Sequence, residues 1–204
     1  GIECKDISQW VFEMMGPFNS DRLEELLPGF EYSEKTRDLY SIPHNNISSV
    51  DLLKWQKKIE FYGHMQRRLL KVDRASMWNG VEVRVPYLDQ RLIDLSLKIK
   101  PSLGIKHRNT KYLLKKILYN YVPKSKLNKE KQGFDINLAD ILRKELKEEV
   151  QDLLLSKNSN CSNMLNQDVI DINVNKFMKK ENDNTWQIWA LFSLEKFLKV
   201  HNSF

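Results

Sequence analysis

Residues 73–89 read DRASMWNGVEVRVPYLD and join two stretches of different hydrophobic period. Upstream, apolar side chains recur every three or four positions, which predicts a long helix, capped by Ser48 or Ser49, with a largely buried apolar face. Residues 81–86 alternate at period two but end in Pro86, which disrupts a strand ladder. We therefore expect an extended loop, followed by a helix that Asp89 caps. The apolar positions of the long helix are Leu52, Trp55, Ile59, Tyr62, Met65, Leu69 and Val72.

The rest of the chain also follows the helical period and contains only seven Gly and six Pro, so we expect a mainly α protein. The helix at the end of the chain is rich in aromatic side chains. Because large aromatics are mostly buried, we predict a core helix there, with a partner surface as the alternative. The other predicted helices cover 8–15, 21–27, 33–40, 110–121, 138–155 and 169–178, the last helix covers 185–200, and 156–163 is a polar linker.

Composition narrows the class of protein. The 204 residues suit one domain or a large part of one, and 41% hydrophobic with 29% charged residues is typical of a folded chain rather than a disordered one. No apolar run approaches the roughly 20 residues of a membrane span, and the N-terminus resembles no signal sequence, so we expect a cytoplasmic protein.

Cys4 and Cys161 lack the spacing of a zinc site or a disulfide framework, and no metal site is expected.

Positive charge is concentrated in residues 98–131, which hold eleven Lys or Arg and one acid, Glu130. This segment carries a net +10, against +6 for the whole chain. Such a segment can face a polyanion, such as RNA, a triphosphate or pyrophosphate, or can be a solvated helix surface. Charge alone leaves both interpretations open.

Residues 73–89 closely resemble the DR-x-SM-x-x-x-x-E-x-RVPFLD signature of asparagine synthetases. Two further blocks follow in that family's order. Residues 111–116, KYLLKK, resemble its K-x-x-LR helix, and residues 122–123 with 129–134, VP and KEKQGF, resemble its LP and R-x-K-x-GF elements. Residues 185–195 are similar to its closing N-x-x-x-x-W-x-L-x-x-LE helix.

The resemblance implies a fold and a division of the chain. It runs from about Leu52 to the end, so we expect a helical N-terminal segment at 1–50, with weak resemblance, and the C-terminal helical part of the asparagine synthetase domain at 51–204. The intact domain would be an α/β adenine-nucleotide-hydrolase-like (PP-loop) synthetase domain, of which this chain is the mainly α portion. Tyr87, Lys115 and Lys129 depart from the usual Phe, Arg and Arg, and Lys129 lacks the planar fork of Arg for phosphate.

The resemblance also implies an activity. Members of this family activate the side-chain carboxylate of aspartate with MgATP, giving β-aspartyl-AMP and pyrophosphate, and ammonia from a glutaminase domain then displaces AMP to form asparagine. Their SGGxDS pyrophosphate loop has no counterpart in this sequence, and Cys4 lacks the glycine-rich continuation of a glutaminase nucleophile. We therefore expect both catalytic halves to lie upstream and this fragment to be inactive alone, with a separately encoded subunit as the alternative.

By the same resemblance, Lys131 is the candidate catalytic residue, because it matches the lysine that the family directs at the reacting phosphate and acyl oxygens. A positioned ammonium would stabilise the charge that builds there during adenylation. Gly133 would allow the tight backbone path of this loop, and Phe134 would anchor it. Without the resemblance, Lys131 would be interpreted as one more surface lysine.

Glu82 and Arg84 are candidates for a wall of the substrate and phosphate site. They lie two residues apart on an extended segment, so both side chains can point the same way. We expect them to brace the wall, with a bidentate contact from Arg84 to phosphate as the alternative. Asp73 and Arg74 are expected to form an ion pair, and His64 is left without a role.

Two kinds of alternative stay open. Sugar amidation, β-lactam closure and macrolactam formation use related synthetase domains. A non-catalytic helical module that binds RNA or an acidic protein through the basic segment is a different class, although nucleic acid is not expected and Tyr112, Tyr119 and Tyr121 also fit a buried helix face. The expected partners are the small substrates and the upstream regions, with no membrane, and a homo-oligomer is left open.

Overall fold

The computed structural model describes residues 7–42, 48–100, 103–106, 109–127 and 136–201, and they are mainly helical. The chain forms two compact units: Gly1–Ser33 with Gly133–Phe204, and Glu34–Gln132. We call them the terminal unit and the central unit. Within the described ranges, no helix is long and apolar enough to cross a membrane.

Thirteen α-helices and one two-stranded sheet are described. In chain order they are α1 (Ile7–Met14), α2 (Ser20–Leu26), α3 (Glu34–Tyr40), α4 (Ser49–Ile59), α5 (Gln66–Met77), α6 (Gln90–Lys98), β1 (Ile105–Lys106), β2 (Asn109–Thr110), α7 (Tyr112–Leu118), α8 (Lys124–Leu127), α9 (Leu138–Arg143), α10 (Lys147–Leu154), α11 (Asn160–Met164), α12 (Gln167–Met178) and α13 (Thr185–His201). A π-helical turn, Glu60–Met65, joins α4 to α5, and a 3-10 turn covers Pro86–Leu88.

The hydrophobic core of the terminal unit lies between α2 and the five helices from α9 to α13. Apolar side chains from all six helices are buried there, as in other helix-on-helix folds. The helix α13 crosses the middle of this core and contributes Ile188, Leu191 and Phe192. Its aromatic residues Trp186 and Phe197 are exposed instead, so the prediction of a core helix holds for one face of α13 only.

The predicted single helix over 138–155 is wrong, because the structure breaks it into α9 and α10 at residues 144–146. Leu138 and Leu154 are both buried in the core. On one continuous α-helix their side chains would point about 160° apart, at 100° per residue. The break reorients the second helix so that both can reach the same core.

The predicted polar linker over 156–163 is also wrong. Ser159 caps a short helix, α11, whose second residue, Cys161, is fully buried. The backbone N–H groups of Asn160 and Cys161 donate to the carboxylate of Glu195 on α13, at 3.1 and 2.8 Å. A distant carboxylate thus satisfies donors that a helix start otherwise leaves unpaired, which is why polar composition alone misled the prediction.

The predicted long helix in the central unit is confirmed, because α4, the π-helical turn and α5 run continuously from Ser49 to Met77. Ser48 is its N-cap and accepts a hydrogen bond from the Asp51 N–H, as predicted. The prediction that its apolar face is largely buried is only partly right. Trp55 and Ile59 are buried, but Tyr62 and Val72 are exposed. Tyr62 lies within the π-helical turn, and the residue that this turn inserts rotates the positions that follow it, including Val72, relative to α4.

The helix predicted over 110–121 is shorter than expected and follows a small hairpin. The strands β1 and β2 pair antiparallel, with Ile105 opposite Thr110. Lys111 then adopts a left-handed conformation, with φ 57°, before α7 begins at Tyr112. A hairpin of two-residue strands is too short to give a period-two pattern, so the sequence offered no signal for it.

Candidate functional site

The signature segment 73–89 begins in α5 and leaves it through a glycine turn. The N–H of Gly80 donates to the Met77 carbonyl at 2.9 Å, and the N–H of Val81 reaches back to the Ser76 carbonyl at 3.0 Å. Gly80 has φ +67°, a left-handed conformation that residues with a Cβ adopt at a cost. The turn ends the helix and sends the chain into the extended segment that carries Glu82 and Arg84.

Glu82 and Arg84 point the same way from this extended segment, as period two predicts. Arg84 Nη2 lies 2.7 Å from Glu82 Oε1, and the side chains are 84% and 65% exposed, respectively. An ion pair this exposed stabilises a fold by about 0–1 kcal/mol. The pair therefore orients the Arg84 guanidinium without burying it, and the remaining N–H donors of Arg84 are accessible to a ligand.

A groove of about 510 Å³ lies between α5 and the extended segment. Its sides include Leu69 and Asp73 from α5 and Val83 with Arg84 from the extended segment. The predicted ion pair between Asp73 and Arg74 is not formed in the described part of the chain, and Asp73 lines the groove instead. An apolar floor with one cation and one carboxylate at its edge is the composition of a site for a small polar ligand.

A second cavity of the central unit, of about 640 Å³, also has Leu88 in its lining. His64 Nδ1 lies 3.3 Å from Glu60 Oε2 at its edge, and Lys57 Nζ donates to the Ser96 carbonyl at 3.1 Å. From the sequence, His64 was left without a role. The i, i+4 spacing of Glu60 and His64 was the signal that could have found this contact.

Asp89 caps α6, as predicted, because its Oδ1 accepts from the Arg91 N–H at 2.9 Å. The Arg91 guanidinium also donates twice to this carboxylate, at 2.9 and 2.8 Å. The side-chain hydrogen bond from Arg91, helped by those from the backbone of Arg91 and Leu92, holds the pKa of Asp89 below its ordinary value. This contact lies at the last residue of the signature segment and fixes where α6 starts.

Lys131, Gly133 and Phe134 lie outside the described residues, as does Cys4. The proposed catalytic loop is therefore known here from sequence alone. The tyrosines of the basic segment can be placed. Lys106 lies over the ring of Tyr112 at 5.4 Å, and Lys124 over the ring of Tyr119 at 5.2 Å.

The third tyrosine of that segment, Tyr121, is 80% exposed, so the three do not form a buried helix face. Among the residues the structure describes, no three His, Cys, Asp or Glu side chains are grouped to hold a metal ion. Cys161 is a free thiol, and burial together with the Glu195 carboxylate raises its pKa to about 12. These groups offer neither a redox pair nor a metal centre in the described part of the chain.

The comparison with protein families matches residues 13–199 to the model described as asparagine synthase. The chain therefore belongs to the asparagine synthase family. The match begins well before residue 51, so it includes most of the segment in which the sequence analysis found only weak resemblance.

Curated proteins similar to this chain carry names that agree with the family match, at modest sequence identity. The chain is 28% identical, over 83% of its length, to asparagine synthetase [glutamine-hydrolyzing] 1 of Bacillus subtilis (strain 168), and covers 26% of that protein. It is 28% identical over 69% of its length to asparagine synthetase [glutamine-hydrolyzing] of Gallus gallus, covering 25% of it. A probable asparagine synthetase [glutamine-hydrolyzing] of Dictyostelium discoideum is 33% identical over 41% of the chain. The chain thus spans about a quarter of the length of such relatives, and no solved structure matches it.

Proposed function

We propose that this chain is the helical C-terminal part of the synthetase domain of a cytoplasmic, ATP-dependent and glutamine-dependent amidoligase that converts aspartate to asparagine. The observation that carries this proposal is the family match over residues 13–199, which contains the ordered blocks of the signature. In this proposal residues 51–204 are the helical part. The glutaminase domain and the PP-loop α/β sheet lie in the rest of a protein about four times as long, so the chain alone is inactive.

The proposed chemistry has two steps. The aspartate side-chain carboxylate attacks the α-phosphorus of ATP and pyrophosphate leaves, forming β-aspartyl-AMP. Ammonia released from glutamine then attacks the acyl carbon, AMP leaves and asparagine forms. A magnesium ion bound with ATP would neutralise phosphate charge during the first step. The parts of the protein outside this chain would hold most of the ATP and the metal.

Lys131 is proposed to stabilise the first step. Negative charge builds on the α-phosphate and the leaving pyrophosphate, and an ammonium held there where water is excluded favours the transition state. Gly133 and Phe134 would shape the loop that carries it. The support is the match of residues 129–134 to the family's R-x-K-x-GF element, in the family's order.

Glu82 and Arg84 are proposed to form part of the wall around the substrate and phosphates. Their 2.7 Å ion pair at the rim of the 510 Å³ groove supports this placement. We propose that they act as one unit, with Glu82 holding the guanidinium of Arg84 in place. Direct contact between Arg84 and phosphate is the competing role, and the exposure of Arg84 is compatible with it.

The proposal is tested by aspartate-dependent exchange of pyrophosphate into ATP. The full-length gene product, its Lys131→Ala variant and this 204-residue chain are compared. We expect exchange by the full-length protein, a loss of about 10²- to 10³-fold in the variant, and none by the chain alone. The matched control is Lys124→Ala, which removes an equal charge from the same basic segment and should leave exchange unchanged.

Other outcomes would point elsewhere. A folded full-length protein without aspartate-dependent exchange would exclude aspartate and favour one of the related amidations of sugars or macrocycles. Exchange by this chain alone would contradict the assignment of the nucleotide site to the rest of the protein. Equal losses in Lys131→Ala and Lys124→Ala would show that the basic segment acts through its total charge, as a polyanion-binding surface would.

A further inference from the structure

The outward face of α13 carries a row of large apolar side chains that are exposed among the described residues. Trp186, Trp189, Phe197 and Val200 are 65%, 38%, 57% and 60% exposed, respectively, and the exposed Ser193 lies at the centre of the row. We call these five residues the outer stripe. At 1.5 Å per residue the stripe is about 21 Å long.

The outer stripe is distinct from the core face of the same helix. At about 100° per residue its five members fall within an arc of about 80°, whereas Ile188, Leu191 and Glu195 lie on the opposite side and are buried. A helix that is apolar on both sides is expected to have packing partners on both sides. Among the residues that the structure describes, the core supplies one partner, and none covers the outer stripe.

The order of residues in the outer stripe is symmetric about Ser193. Trp186 and Val200 lie seven residues to either side of it, and Trp189 and Phe197 lie four to either side. Two copies of such a helix packed antiparallel about a two-fold axis at Ser193 would place Trp186 against Val200 and Trp189 against Phe197. A two-fold interface requires this self-complementarity, because the same surface must serve both copies.

The remaining side chains of α13 are compatible with this pairing. Ser193 is small and lies at the crossing point, where the two backbones must approach most closely. In the antiparallel register Lys196 would face Ala190 and Lys199 would face Gln187 of the other copy, so no lysine meets another across the axis. Lys196 also forms an ion pair with Glu149 of its own chain, which directs its ammonium away from the stripe.

We propose that the outer stripe is a self-association surface, through which two copies of this chain pair by antiparallel contact of their α13 helices around Ser193. This inference does not depend on the proposed catalytic activity. A single helix pair buries an area at or below the low end of specific interfaces, about 1,200 Å², so the dimer should be weak and its population should depend on concentration.

Molar mass in solution tests the proposal. In sedimentation velocity the 204-residue chain should shift from 24.2 kDa towards twice that mass as its concentration rises. Ser193→Lys would bring two like charges together at the axis and should abolish the shift. The matched control is Asn163→Lys, which adds the same charge at an exposed position of α11 and should leave the shift unchanged.

A covalent test covers the case in which Ser193→Lys fails to fold. In a chain with Cys4→Ser, the substitution Ser193→Cys should give an inter-chain disulfide under mild oxidation with dissolved oxygen, two thiols losing two electrons and two protons to the oxidant. Asn163→Cys in the same background should not. A chain that stays monomeric at every concentration and gives no cross-link at Ser193→Cys would overturn the proposal. Association that persists in a folded Ser193→Lys variant would also overturn it.

Discussion

Glu195, the last residue of the closing signature, is a carboxylate with no exposed surface. Its oxygens accept from the Asn160 N–H, the Asn160 side-chain amide and the Cys161 N–H, at 3.1, 3.1 and 2.8 Å. Burial alone would raise the pKa of Glu195. The hydrogen bonds from Cys161 and Asn160 favour the charged form more strongly and hold its pKa below the ordinary 4.5.

This environment makes the stability of the chain depend on pH in acid. Because the folded-state pKa of Glu195 is lowered, its contribution is complete above pH 4.5 and is lost as pH falls through the folded-state value. We expect Glu195→Gln to lower the free energy of unfolding by about 1–3 kcal/mol near neutral pH and to weaken the loss in acid. Urea unfolding of the two proteins at neutral and acid pH measures the change in the free energy of unfolding and its dependence on pH.

The exposed Glu181 provides the control for that experiment, since Glu181→Gln changes the charge equally and should alter the free energy of unfolding by less than about 0.5 kcal/mol. If Glu195→Gln were as stable as wild type, the carboxylate would not be the cap that the geometry describes.

If Glu82 braces Arg84, substitutions of these two residues should have coupled, non-additive effects on activity. If the two act as one unit, Glu82→Gln, Arg84→Ala and the double variant of the full-length protein should lose similar amounts of pyrophosphate exchange, because either change breaks the same contact. The free energy of unfolding should change by less than about 1 kcal/mol, since the pair is exposed. A much larger loss in Arg84→Ala than in Glu82→Gln would favour direct contact with phosphate.

Among the elements, the turn at Gly80 sets where the signature leaves α5. A Cβ at this position would meet no atom within 4 Å, so space is not the constraint; the φ of +67° is. We expect Gly80→Ala to destabilise the central unit by about 1 kcal/mol, and Gly80→Asn by less, because Asn tolerates the left-handed region better. Denaturant unfolding monitored by circular dichroism compares the three proteins. Equal stability of Gly80→Ala and wild type would contradict the observed turn.

The elements also show what the sequence could predict. The caps at Ser48 and Asp89 and the extended path of 81–86 depend on neighbouring residues, and all three were predicted. The break at 144–146 and the helix α11 depend on contacts with a distant core and with Glu195, more than 30 residues away, which no local pattern contains. The alignment of Glu82 with Arg84 followed from period two, whereas the groove beneath them needed the position of α5.

On the scale of the whole molecule, burial is unequal between the two units. Thirteen buried apolar residues form one cluster in the terminal unit, whereas Trp55 and Ile59 are the buried apolar side chains described for the central unit. Local stability follows the number of buried apolar contacts. We therefore expect slower amide hydrogen exchange in α12 and α13 than in α5 and α6, measured by mass spectrometry on the 204-residue chain.

Full-length protein is the natural comparison for that experiment. If the rest of the synthetase packs on the central unit, as the proposed function implies, α5 and α6 should become more protected there while α12 and α13 change little. Equal protection of the two units in the isolated chain would contradict the inequality in burial.

The π-helical turn at Glu60–Met65 changes the direction in which side chains point along the longest continuous helix that the structure describes. Each residue of an α-helix turns the direction of the side chain by about 100°, so deleting one residue within this turn would restore a regular helix and rotate everything after it by that amount. The groove side of α5, including Leu69 and Asp73, and the segment that bears Arg84 would then rotate together and face a different direction relative to α4. One inserted residue, remote from any charged group of the groove, thus sets the direction in which the whole signature segment faces relative to α4.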